Sequence, residues 1–270
     1  MPLTSILTPD QRAEFDRRGV LRLEGLLSVD AVSRARGAVL RPLEQLGLWR
    51  DGAWRLDPAR KAPWPDKGPS AKAIGNKHAA VEALLDEPAL LAAVDALLDG
   101  RAFDRTTNKR PQVLFTLPNA GEWTVPTGWH VDFARLASGQ RPGVQLFAFL
   151  ETVEPHGGGT LVLAGSHRLL NIGRFLRNAD IRRLLRREAF LGELYDEARD
   201  DRAQLMRKTG VVDDVPLELV ELTGAPGDAW LMDLRTLHTG APNVAERPRM
   251  MVTYRFVRTD LAAELAATAY

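Results

Sequence analysis

The sequence predicts a mainly β protein with flanking helices, its core a sandwich or jelly roll. Three observations lead there. From about residue 111 the chain breaks into short β-rich runs, "PQVLFTL", "GVQLFAFLE", "GTLVLAG", "LELVEL", "DAWLMDL" and "RMMVTYRFV", punctuated by Gly, Pro and Asn. Several short strands of this kind suit a sandwich or jelly roll. The first hundred residues and a later charged block have helical spacing instead. With 270 residues, 45% hydrophobic and 26% charged, the chain fits one large β-rich domain or two small ones with a real core.

In chain order, Thr8 is placed to cap a first helix, with Pro9 at its first position and Gln11 completing a capping box. That helix should end near Gly19, and "VLRLEG" (20–25) alternates like a strand. Ser28 can cap a second helix with Val32, Ala35, Val39 and Leu43 on one face, which Pro42 should kink or end. Residues 50–76, rich in Trp, Pro, Lys and Gly, read as a long loop, and "EPALLAAVDALLDG" reads as a helix stopped at Gly100. The strands beyond residue 111 are interrupted by residues 168–209, expected to be helical. There Arg182, Arg183, Arg186 and Arg187 form a basic cluster, read as a solvated face balanced by Glu193, Asp196, Glu197, Asp200 and Asp201.

Composition removes several classes of function. The net charge of +1 supplies no field for recruiting nucleic acid or an anionic membrane. There is no cysteine, so disulfides, zinc–thiolate sites, iron–sulfur clusters and thiol nucleophiles are excluded. Any metal must be held by His, Asp or Glu. The opening "MPLTSILTPDQ" has neither a basic start nor a long apolar stretch, so no signal peptide is expected. No apolar run approaches the roughly 20 residues of a bilayer span. The expectation is a cytoplasmic protein.

The chemistry concentrates in "GWHVDF" (128–133). On a strand, residues two apart share a face. His130 and Asp132 would then present an imidazole and a carboxylate side by side, a chelating pair. Alone, such a pair more often reflects a buried His hydrogen-bonded to a carboxylate. A third ligand must come from His78, His156, His167 or His238. His238 follows the strand "DAWLMDL" and precedes a glycine-containing turn, a suitable place to aim a ligand into a barrel mouth. His130, Asp132 and His238 together would form a two-histidine, one-carboxylate facial set that leaves three octahedral positions open. Eleven residues beyond His238 stands Arg249, with Arg247 and Arg255 as rivals. An arginine fork there matches a carboxylate bidentately.

In these motifs the chain resembles the phytanoyl-CoA dioxygenase superfamily of iron(II)/2-oxoglutarate oxygenases. "WHVD" (129–132), "HGGGTLVLAGSH" (156–167), "LHTGAPN" (237–243) and "RPRMMVTYRF" (247–256) stand in the expected order, and the opening "LTPDQRAEFDRRGVLRLEGLLSVD" is also similar. The resemblance implies a double-stranded β-helix (jelly roll, cupin-like) over 111–167 and 211–258, a helical N-terminal flank over 1–110 and a helical insert over 168–210, all one domain. It implies iron(II) on His130, Asp132 and His238, with 2-oxoglutarate and O2 as co-substrates. Arg249 would hold the far carboxylate of 2-oxoglutarate, with Thr160 and, less directly, Gln112 assisting. It further implies release of succinate and CO2 and oxidation of a small molecule, with hydroxylation first and desaturation, epoxidation or ring closure also open. The carboxylate of Asp132 argues against halogenation, because related halogenases leave that position to a halide. No lysine occurs in "VLFTLPN", and Gly240 stands where some relatives carry a hydroxyl. His167, at a strand-to-helix corner, reads as structural, and Gly157–Gly159 as a turn.

Substrate contacts are expected from the 50–76 loop, from Phe133 and Arg135 after the metal motif, and from Gln145, which shares a strand face with Phe147 and Phe149. A monomer or homodimer is expected, with no nucleic-acid or membrane partner. Two other readings compete. A cupin-like zinc or manganese hydrolase or isomerase could use the same three ligands, and a binding barrel could keep the fold without turnover.

Overall fold

The computed structural model describes residues 6–56, 74, 78–104, 110–119, 121–133 and 135–267. Most of the 50–76 loop therefore lies outside the described residues. The N-terminal flank contains α1 (Pro9–Arg18), β1 (Val20–Leu23), α2 (Val29–Gln45), β2 (Trp49–Arg50), β3 (Ala53–Trp54), α3 (Ala79–Glu82), α4 (Pro88–Leu97) and β4 (Phe103–Asp104). Then follow β5 (Gln112–Thr116), β6 (Gly143–Phe149) and β7 (Thr160–Ala164). The insert contributes α5 (Asn178–Leu185) and α6 (Ala189–Tyr195). The chain closes with β8 (Thr209–Val212), β9 (Val215–Glu221), β10 (Ala229–Asp233), β11 (His238–Gly240), β12 (Arg249–Arg258) and α7 (Ala262–Ala267).

Local signals explain the helix ends. The Thr8 hydroxyl accepts from the Gln11 N–H, and the Gln11 side chain accepts from the Thr8 N–H, completing the capping box. Gly19 ends α1 at φ +70, and its N–H donates to the Phe15 carbonyl. Only glycine serves there, because a Cβ would collide with the His167 ring. Pro42 lies inside the last turn of α2, which ends three residues later at Gln45, where the missing Pro42 N–H costs little helix.

Two antiparallel sheets face each other. The larger has the order β1-β10-β6-β12-β4, with β5 also pairing β12, and the smaller has β11-β7-β9-β8. Successive core strands change sheet: β6 larger, β7 and β9 smaller, β10 larger, β11 smaller, β12 larger. This winding is a double-stranded β-helix with flanking helices. The strands before residue 111 are not mere flank, since β1 pairs β10 and β4 pairs β12. The end of the expected helical insert is the edge strand β8. Its Asp213–Asp214 turn carries two positive-φ residues that close a hairpin.

Burial sorts into three layers. The helices of the flank pack on the outer face of the larger sheet, through residues such as Phe15, Leu43, Leu146 and Phe256. The insert packs on the smaller sheet through Ile181, Leu191, Leu163 and Leu217. Between the sheets lies a small apolar core that includes Phe147, Phe149, Val162, Met232 and Met251. Each fully buried side chain of this size contributes about 1.5–3 kcal/mol. Strands β6, β7 and β10 are therefore buried on both faces, and each reads as a mostly apolar run, interrupted inside only by Gln145 in β6, rather than as an alternation. Among the described residues, no helix is long and apolar enough to cross a membrane.

Candidate metal centre

Antiparallel register sets the inner face. Thr253 stands opposite Phe147 on one side and Gln112 on the other, Arg249 opposite Thr116, and Arg255 opposite Gln145. Paired residues share a face, so Arg249, Met251, Thr253 and Arg255 all point between the sheets. On β11, His238 stands opposite Val162 and Gly240 opposite Thr160. Val162 belongs to the inner core, which aims His238 inward as well. The Phe147 and His238 rings meet at 6.5 Å, so the histidine sits at the level of Thr253.

His130 and Asp132 reach this point differently from the expectation. Residues 128–133 form no strand. His130 makes one isolated bridge, exchanging two backbone hydrogen bonds with His238 at 3.1 and 2.9 Å. That bridge brings the rings to 4.4 Å centroid to centroid. Ligand atoms of His130, Asp132 and His238 lie within 4.8 Å of one another, the one such group among the described residues. Nδ1 of His130 lies 3.0 Å from the Gly128 carbonyl and Nδ1 of His238 3.0 Å from the Thr236 carbonyl. A carbonyl only accepts, so each Nδ1 carries a proton and Nε2 is the nitrogen each ring can turn to a cation. Fixing the tautomer through the far nitrogen is how proteins prepare imidazoles for metals. The other three histidines are engaged elsewhere. His78 caps α3, His156 stacks on Trp123, and His167 is buried against the Asp16 carbonyl.

Arg255 completes the group. Its Nε donates to Asp132 Oδ2 at 2.9 Å, and its Nη2 lies 2.7 Å from Oδ1. Burial pushes the Asp132 carboxyl up, but the His238 ring and the Arg255 guanidinium outweigh it and hold it well below the usual carboxylate range. Burial lowers the His130 pKa, and the neighbouring His238 lowers it further. An ionised carboxylate and neutral imidazoles are the forms that bind a cation.

Arg249 has a different setting. It is buried, donating from Nη1 to the Gly158 carbonyl at 2.6 Å and from Nη2 to the Thr116 hydroxyl at 2.7 Å. Its Nε has no partner, and among the described residues no carboxylate pairs with it. Desolvation lowers its pKa to about 10. Of the rivals, Arg255 is thus tied to Asp132, and Arg249 is the buried cation with donor capacity to spare.

The other sequence candidates divide. Thr160 is buried opposite Gly240. Phe133 is half-buried beside Asp132. Gln145 is buried, donates to the Thr253 hydroxyl at 3.1 Å and leaves Oε1 unpartnered. Gln112 is not brought to Arg249. It is exposed and lies four residues away, opposite Thr253, while Thr116 of the same strand contacts Arg249. Arg135 is buried with its guanidinium on the carbonyls of Ser166, His167 and Arg235, so it braces the loops rather than facing a ligand. The acidic residues expected to balance Arg182, Arg183, Arg186 and Arg187 pair elsewhere in the insert: Glu193 holds Arg199 and Lys208, and Asp201 holds Arg199. Arg183 pairs with Asp180 instead, and Arg182 and Arg186 lie over the Tyr195 ring.

The fold and the site define a class: a double-stranded β-helix protein with two histidines and a carboxylate converging between its sheets. The family model described as "Phytanoyl-CoA dioxygenase (PhyH)" matches residues 15–251. The chain belongs to the phytanoyl-CoA dioxygenase (PhyH) family. No curated protein sequence matches it significantly. Solved structures agree in fold. The epimerase SnoN in complex with Fe3+, alpha ketoglutarate and nogalamycin RO is 16% identical, with 92% of this chain and 82% of that chain covered and a TM-score of 0.53. The non-heme alpha ketoglutarate dependent carbocyclase SnoK from nogalamycin biosynthesis is 15% identical over 96% and 87%, with a TM-score of 0.56. EctD from S. alaskensis, with 2-oxoglutarate and 5-hydroxyectoine, is 19% identical over 96% and 79%, with a TM-score of 0.57.

Proposed function

We propose that the chain is an iron(II)- and 2-oxoglutarate-dependent oxygenase that hydroxylates a small molecule. The observation that carries this reading is Arg249. A buried guanidinium with no carboxylate partner among the described residues is costly, and it is understandable as a receptor for an incoming carboxylate. It projects from the same strand face whose Thr253 lies level with the His130, Asp132 and His238 group. Support also comes from the carbonyl-bound Nδ1 atoms, which leave Nε2 as the metal-facing nitrogen of both rings, and from membership of the family.

The residues fit the group they would hold. His130 and His238 would bind iron(II) through Nε2 and Asp132 through one carboxylate oxygen, while Arg255 keeps that carboxylate oriented and partly neutralised. So held, iron(II) supplies oxygen activation coupled to decarboxylation of 2-oxoglutarate to succinate and CO2. Arg249, with the Thr116 hydroxyl on its guanidinium, would orient the distal carboxylate of 2-oxoglutarate. Thr160, two residues beyond the Gly158 whose carbonyl Arg249 binds, would be a second hydroxyl. Phe147, Phe149 and Met251 keep water from the inner face. Phe133 and Gln145 are the described candidates to touch substrate. A zinc or manganese hydrolase or isomerase on the same ligands has no use for a carboxylate-seeking Arg249.

The test is an anaerobic titration of metal-free protein with iron(II) and then 2-oxoglutarate, followed by the weak visible charge-transfer band of the chelate. A band that His130→Ala abolishes, and that requires more 2-oxoglutarate in Arg249→Ala, is expected. No band while other divalent metals bind would favour the hydrolase or isomerase, and no metal uptake would refute both. Product analysis after substrate-stimulated succinate release then decides hydroxylation against epimerisation or ring closure.

A further inference from the structure

The segment carrying two of the three ligands has almost no pairing of its own. Between Val125 and Arg135 the described residues form no strand. The His130–His238 bridge is their one backbone pairing with the sheets' ladders, and the Arg255 ion pair reaches only the Asp132 side chain. Such a segment is free to wander unless something else holds it. What holds it is the helical insert, at three successive points.

The first is Arg202, a buried insert arginine. Its Nε donates to the Val125 carbonyl at 2.6 Å and its Nη2 to the Pro126 carbonyl at 3.0 Å. The same guanidinium binds the insert's own Leu194 and Glu193 carbonyls at 2.8 and 3.2 Å. At the other end, Arg135 and Leu176 exchange two backbone hydrogen bonds, at 3.2 and 3.1 Å. Between these anchors, at the start of α5, stands Asn178. Its Oδ1 accepts from the Val131 N–H at 2.8 Å, and its Nδ2 donates to the Val131 carbonyl at 2.8 Å.

Val131 is the residue between the two ligands. Its N–H lies on the peptide plane shared with His130, and its carbonyl on the plane shared with Asp132. A side-chain amide offers one acceptor and donors in the geometry of a neighbouring strand's peptide edge. One asparagine therefore pins both planes, and with them φ and ψ of Val131 and the mutual orientation of His130 and Asp132. The buried Val131 side chain points away into the core shared with the insert.

We propose that Asn178 is a positioning residue for the metal centre, and that the insert is the clamp that shapes the metal-binding segment. This rests on the metal reading of His130, Asp132 and His238. Groups that orient ligands in this way typically change metal affinity by about 10- to 100-fold when removed. Asn178 is itself exposed, so truncating it opens no cavity.

The experiment compares the wild type, Asn178→Ala, Asn178→Gln and, as a control on the insert surface, Arg183→Ala. Each is titrated anaerobically with iron(II) and separately with cobalt(II), read by visible absorption, and backbone hydrogen exchange is followed over 129–135. Asn178→Ala should bind both metals about 10- to 100-fold more weakly, with faster exchange of the Val131 amide and a melting temperature lowered by no more than the several degrees that loss of two hydrogen bonds costs. Asn178→Gln, which keeps the amide and has solvent room for one more methylene, should recover much of the affinity. Arg183→Ala should match the wild type. Metal affinity and Val131 exchange unaltered in Asn178→Ala would overturn the proposal, as would equal weakening in Arg183→Ala. A wild type that takes up no metal would refute the metal reading instead. Val131 exchange alone would then decide the clamp: acceleration in Asn178→Ala supports it and no change overturns it.

Discussion

Arg249→Met separates the stability of the chain from its proposed co-substrate binding. Methionine keeps the length of the stem and removes the charge. Burial lowers the Arg249 pKa from 12.5 to about 10. At about 1.4 kcal/mol per unit, holding the charged form inside the folded chain costs about 3 kcal/mol. The folded pKa lies below the unfolded one, and below pH 10 the group is protonated in both states, so this cost is present in full at neutral pH. Against it stand the hydrogen bonds to the Gly158 carbonyl and the Thr116 hydroxyl, each contributing about 1.5–3 kcal/mol because the donor is charged. The two sides nearly offset, so the variant should melt within a few degrees of the wild type. Loss of a buried, bidentate charge pair with 2-oxoglutarate costs about 2–5 kcal/mol, at least about 30-fold in Kd. The assay is an anaerobic thermal melt with iron(II), with and without 2-oxoglutarate. The wild type should gain Tm from 2-oxoglutarate, while the variant should start within a few degrees of it and gain almost nothing. A variant that melts well below the wild type would make Arg249 a structural member of the fold. One that keeps the full 2-oxoglutarate shift would refute its role as carboxylate receptor.

Two further outcomes probe the scaffold. Burial depresses the His167 pKa to about 4, although Asp233 and the Asp16 carbonyl raise it in part. The unfolded chain, titrating near 6.5, takes up the proton first on acidification, so stability falls between pH 6.5 and pH 4. Urea unfolding at pH 7 and pH 5 should show about 2 kcal/mol more loss in the wild type than in His167→Gln, and equal losses would refute the buried neutral ring. Gly143→Ala should destabilise by at least about 2 kcal/mol, because a Cβ there would strike the Phe256 carbonyl and Val257 backbone of β12. A denaturation midpoint like that of the wild type would mean the β6–β12 register is wrong at that end.

Much of this molecule is legible without coordinates, because its signals are local. Thr8, Pro9, Gln11 and Gly19 delimit α1 within one turn of chain at each end, and "GVQLFAF" and "AWLMD" are apolar enough to be interior strands on composition alone. The order of the motifs was enough to put His130, Asp132, His238 and Arg249 forward together. The premise that His130 and Asp132 lie on a strand failed, since alternation in "GWHVDF" carries no information about whether a partner strand exists. Tertiary structure alone decided which arginine meets which carboxylate. Arg249 and Arg255 share a strand face, and the 123 residues separating Asp132 from Arg255 leave no pattern to read. The same holds for Thr116 in place of Gln112, for Arg135 as a brace, and for Asn178, which grips Val131 across 47 residues. Caps and periodicity are written in neighbours along the chain. Side-chain to backbone pairing across a fold depends on where the chain returns, and that is fixed when the sheets close.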